Sequence, residues 1–124
     1  MQTGLFGYKG KVHFQTAPCI NDRLAQLERS LPKQELFSSI SACIDQRIHS
    51  NYRIYSGNYV AYDLLKGTSE FAGHYTPEEK LRFVTYIEQQ LGKIKIPNKD
   101  EDFLRGKLLL MYANPLVNYL AACQ

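Results

Sequence analysis

The segment His74-Tyr75-Thr76-Pro77-Glu78-Glu79 sets an imidazole five positions before a carboxylate. A histidine oriented by a carboxylate can draw a proton from a hydroxyl and so act as a general base. The same six residues have a competing use. Thr76 is a helix-capping type, Pro77 suits the first helical position, and Glu79 stands three residues after the threonine, as a capping box requires. The cap accounts for Glu79, so the pair is read as structural. His13 and His49 are followed at the same spacing by Pro18 and Ile54, neither of which can orient a ring.

Cys19, Cys43 and Cys123 are odd in number and widely spread, with no Cys-x-x-Cys pair and no repeated histidine spacing. That pattern predicts free thiols in a reducing compartment over a disulfide framework or a zinc site. Cys43 falls within an apolar stripe and is read as a small hydrophobe. The chain carries no glycine-rich phosphate loop, no His-Glu-x-x-His and no Gly-x-Ser-x-Gly elbow. No catalytic residue, metal ligand or cofactor is assigned. Residues 51–67 hold four tyrosines beside Arg53, a composition that could stack on a ligand ring. Nucleic acid is not expected as a partner, because a dense basic patch is missing; tyrosines at helical spacing are read as core edges with their hydroxyls in water.

The elements that would position these groups are mostly helical. The 124 residues are 44% hydrophobic and 22% charged, enough for one folded domain with a real core. Fifteen basic against twelve acidic side chains leave +3, too mild to demand a polyanion but suited to a surface that meets anionic head groups. No apolar run has the length of a spanning helix and the first residues lack a signal-peptide core, so the expected location is the cytoplasm, at most peripheral to the inner face of a membrane.

Near the N-terminus, residues 7–22 read as a strand: Val12 and Phe14 share one face, Lys11, His13 and Gln15 the other, and Pro18 ends it. Asn21 or Asp22 can cap a short helix bearing Leu24, Leu27 and Leu31, with Pro32 at the boundary of the next. From Gln34 to about His49 the apolar positions Leu36, Phe37, Ile40, Cys43, Ile44 and Ile48 predict a core-facing helix. Asn58 can cap another that ends near Gly67. The helix begun at Thr76 should bury Leu81, Val84, Ile87 and Leu91 and end near Gly92. Asn98 with Glu101 predicts a last cap, for a helix holding Phe103, Leu104, Leu108 and Met111 and broken at Asn114-Pro115. The expected fold is mainly α, five or six helices with one N-terminal strand, and short strand candidates at 53–55 and 94–96.

The run Tyr8-Lys9-Gly10-Lys11-Val12-His13-Phe14-Gln15-Thr16-Ala17-Pro18-Cys19-Ile20-Asn21 resembles the late strand of glycerolipid acyltransferases of the lysophosphatidic-acid type. Residues 31–65 and 93–120 resemble the helical C-terminal extension of bacterial glycerol acyltransferases, some of them labelled hemolysin-like. The resemblance implies that residues 1–20 are the last strand segment of an acyltransferase core and residues 21–124 a helical C-terminal domain, the tail of a larger α/β enzyme. It implies an N-terminal catalytic core as partner, with an acyl thioester and a lysophospholipid as substrates of the whole enzyme. The family's His-x-x-x-x-Asp base and its Glu-Gly-Thr-Arg-like phosphate block have no match here, so no catalytic residue is carried over and this chain alone is expected to be inactive. A strand without a partner also predicts mobility or a strand-mediated dimer. The alternative is an autonomous helical module that binds a protein or peptide in a groove between helices.

Overall fold

Thr76 and Asp100 show how the main helices begin. Thr76 Oγ1 accepts from the Glu79 amide at 3.2 Å, Glu79 Oε2 accepts from the Thr76 amide at 2.9 Å, and Pro77 opens the helix. Asp100 accepts from the Phe103 amide at 2.9 Å. The structure, a computed structural model, describes residues 11–27 and 30–123. Among them are five α-helices: α1 (Asn21–Ala25), α2 (Lys33–Ser50), α3 (Ser56–Lys66), α4 (Pro77–Lys93) and α5 (Glu101–Ala122), with a 3₁₀ turn at Ala72–His74.

The core lies where α3, α4 and α5 meet. Ala61, Ile87, Leu91, Leu109 and Ala113 form its buried cluster, and Phe83, Leu104, Leu108 and Tyr112 pack around it. Ala61 and Ala113 let α3 and α5 approach closely, and theirs is the most extensive helix pairing. Gly57 serves the same end against α4, since a Cβ there would stand 3.2 Å from the Phe83 ring. Gly67 ends α3 at φ +66°, the left-handed conformation that glycine adopts without strain, and Thr68 donates its amide back to the Asp63 carbonyl at 2.9 Å.

Several expectations are corrected. No strand occurs among the described residues: residues 11–19 are irregular, as are 53–55 and 94–96, and the predicted strand's residues 7–10 lie outside the described ones. A strand is defined by its ladder, and none of these segments meets another in register. Val12 and Phe14 are therefore left 67% and 92% exposed. α1 takes Ile20 as its cap residue, with no side-chain cap from Asn21 or Asp22, and α3 takes Tyr55, with Asn58 at its third position accepting from the Tyr55 amide. Helix α2 buries none of its residues, because α5 is its main neighbour; Phe37, Ile44 and Ile48 face outward while Leu36, Ile40 and Cys43 are half-covered.

In α4, Ile87 and Leu91 are buried but Leu81 is exposed. At about 100° per residue, steps of three drift by about 60° each, which carries Leu81 about 120° away from Ile87. Gly92 lies inside the helix rather than after it. Asn98 does not cap; it takes φ +52° in the turn, and Asp100 does the capping. Pro115 does not break α5, which continues to Ala122 with Leu116 buried. A proline deprives the carbonyl four residues back of its donor and loosens the turn before it. Asn58 reaches into that turn, donating from Nδ2 to the Tyr112 carbonyl at 2.8 Å.

Thr76→Ala should destabilise the fold by about 0.5–2 kcal/mol in denaturant melts, since it leaves the Glu79 amide without its acceptor. A smaller shift would place the helix start elsewhere. Lys80→Ala, beyond the cap, should matter less.

Candidate functional site

Asp63 is a carboxylate on the inner face of α3, 1% exposed. An isolated charge in such a place is expensive, and this one is fully hydrogen bonded. Tyr75 Oη donates to Oδ2 at 2.8 Å, Thr68 Oγ1 to Oδ1 at 3.2 Å, and the Phe71 amide sits between both oxygens at 3.3 and 3.2 Å. All three donors come from residues 68–75, so the carboxylate gathers the α3–α4 connection onto the end of α3. The hydrogen bond to Asp63, more than burial, raises the Tyr75 hydroxyl above its ordinary pKa. With three protein donors on its two oxygens, Asp63 ties the α3–α4 connection to the helix.

His74, on the same connection, stacks on Tyr59 with ring centroids 4.4 Å apart and planes 18° from parallel, and Phe71 leans on both rings. Among the described residues no hydrogen bond joins His74 to Glu79. Glu79 is occupied by the cap: the Thr76 amide, then Ser56, with the Lys11 and Arg82 charges adding less, holds its carboxyl below the usual carboxylate range. Position in the helix start thus separates the one His and carboxylate pair that the spacing suggested.

Cys43 shares a recess of about 580 Å³ with Arg23, Asp45, His49 and Asn118, between α1, α2 and the end of α5. Six residues along one helix put His49 about 120° round from Cys43, the same turn that separates Leu81 from Ile87. His49 packs on Tyr52, at 5.2 Å. All three cysteines are free thiols. No group of three or more His, Cys, Asp or Glu among the described residues could hold a metal ion. No described helix is long and apolar enough to cross a membrane.

The tyrosines divide between structure and surface. Tyr112 lies edge-on to Phe83 and shares a 2.8 Å hydroxyl contact with Tyr86; burial first, then that contact, pushes its pKa up to about 12. Tyr52 and Tyr55 line a second recess, of about 500 Å³, bounded by residues 13–17, the last turn of α2 and residues 51–55. Arg47 and Arg53 also face it. The sequence named Arg53 with its tyrosines but gave no sign that His13 and Arg47 would join them. Comparison with family models, with curated proteins and with solved structures returns no match for the chain.

Proposed function

We propose that the chain is the helical C-terminal part of a glycerolipid acyltransferase, an enzyme that moves an acyl group from a thioester to the hydroxyl of a lysophospholipid. The observation that supports this most is the condition of Val12 and Phe14. Their alternation with Lys11, His13 and Gln15 is that of a half-buried strand, yet both side chains stand in solvent. Such a segment is completed by the edge of a sheet, and a larger α/β core supplies one. Residues 1–20 then belong to that core and residues 21–124 form the appended helical domain, whose α3–α5 core is self-contained.

In the reaction the lysophospholipid oxygen attacks the thioester carbonyl, the C–S bond breaks, and the hydroxyl proton passes by way of the base to the departing thiolate. The base belongs to the core. This chain's part is to pack against it, at the membrane surface where both substrates reside.

The second reading, an autonomous module that binds a protein or peptide, rests on the uncovered Phe37, Ile44 and Ile48 of α2. The test is to isolate the protein from its own cells through a tag at its C-terminus. A polypeptide much longer than 124 residues that acylates a lysophospholipid is expected, while the 124-residue chain alone transfers nothing. A native polypeptide of this length with no transferase activity overturns the proposal and favours the module. Amide exchange adds a structural check: Lys11 to Gln15 should exchange fast in the monomeric chain, and strong protection independent of concentration would mean the segment needs no outside sheet.

A further inference from the structure

At the junction of α2 and α3, Arg47 and Arg53 carry positive charge that no ion pair among the described residues neutralises. Arg47, Arg53 and His13 face the recess of about 500 Å³, and among the described residues no carboxylate lines it. The ion pairs among the described residues, Lys99–Glu101, Arg105–Glu88 and Arg105–Asp102, lie on α4, α5 and the turn between them. Arg53 rests over the Tyr55 ring, at 5.7 Å.

The carbonyls that end α2 would ordinarily draw such cations. Here they are already served. Asn51 Nδ2 donates to the Arg47 carbonyl at 2.9 Å, and the amides of Asn51 and Tyr52 donate to those of Ile48 and His49 at 3.2 Å each. The two guanidiniums are left to whatever enters from solvent. Two planar forks without a counter-charge suit the oxygens of a phosphate, which each can grip through two donors. A bare phosphate would occupy a small part of the recess, and Ile48, Tyr52 and Tyr55 offer apolar walls to a larger body.

We propose that the cleft between residues 13–17 and the α2–α3 junction binds a phosphate ester, its phosphate on Arg47 and Arg53 and its organic part against Ile48, Tyr52 and Tyr55. The site stands on this chain's own residues and does not depend on the acyltransferase reading.

The test is a titration of the 124-residue chain at low salt, followed by amide NMR, with inorganic phosphate, phenyl phosphate and hexyl phosphate, each against chloride at equal ionic strength. Saturable shifts confined to residues 47–55 and 13–17 are expected, with at least one ester binding more tightly than inorganic phosphate. Preference for phenyl phosphate points to a ligand with an aromatic ring, and preference for hexyl phosphate to a lipid headgroup. Arg53→Gln and Arg47→Gln should each weaken binding on the order of tenfold, as loss of charge-assisted hydrogen bonds implies. The double variant Lys66→Gln/Lys107→Gln, which removes charge elsewhere, should stay within about twofold. Arg53 is exposed, so its variant keeps the fold and remains decisive should Arg47→Gln unfold. Shifts that do not saturate, wild-type affinity in folded Arg53→Gln, or equal weakening in the lysine variant would overturn the proposal.

Discussion

Asp63→Ala is expected to lower the unfolding free energy by about 3 kcal/mol, measured by denaturant melts near neutral pH. The change removes the acceptor of three donors at once and leaves the Phe71 amide facing a cavity where the carboxylate was. Asp63→Asn keeps an oxygen of the same reach and should cost roughly half as much. The loop should report the loss directly, with residues 68–75 exchanging their amides faster while α5 holds its protection. A shift under about 1 kcal/mol would mean that water serves these donors as well as the carboxylate does.

Two tyrosines predict an alkaline limit. The hydroxyl of Tyr75 is raised by its bond to Asp63, and that of Tyr112 is pushed up to about 12 by burial and by Tyr86. Each folded value lies above the unfolded one of about 10. Their stabilisation is therefore complete below about pH 10 and is lost as pH climbs through the folded values. Tyr75→Phe should flatten part of that decline. An identical slope in wild type and variant would place the titration on other groups.

Ile87→Ala should cost about 2–5 kcal/mol, because it empties a site that is 2% exposed and walled by α3 and α5. Phe37→Ala removes a larger side chain from α2 but should change stability by no more than about 0.5 kcal/mol, since Phe37 stands 52% in solvent. The contrast separates the core from the uncovered face. A large loss on replacing Phe37 that grows with protein concentration would show that another copy covers α2 in solution.

Features that depend on a few adjacent residues were legible in the sequence. The Thr76 cap and the Gly67 stop are settled within a turn of chain by local donors, acceptors and backbone freedom. Features settled by neighbours were not. The apolar positions of α2 predict a buried helix, but six of them subtend more arc than one neighbouring helix covers, and only contacts show which half is left out. Pro115 predicts a break, yet burial of Leu116 and Ala113 on either side holds α5 together through it. Asp63 gave one weak sign, an acid within the apolar Val60–Leu65 run, and its donors sit in a loop whose path the sequence does not reveal. The recess was hidden for the same reason, since it joins residues 13–17 to 47–55.

Asn58 stands at a crossing of local and distant order. Its Oδ1 accepts from the Tyr55 amide at 2.9 Å as α3 starts, and its Nδ2 meets the Tyr112 carbonyl, 54 residues further along the chain. The first bond needs only one turn of helix and holds the side chain in the orientation that the long-range bond uses, so that bond costs little further rotamer freedom. Closing that span brings together α3 and α5, the most extensively paired helices, against which α4 packs Ile87 and Leu91. In kinetic terms, Asn58→Ala should slow refolding as well as speed unfolding, whereas Thr76→Ala, whose cap joins nothing distant, should act through only one of the two rates.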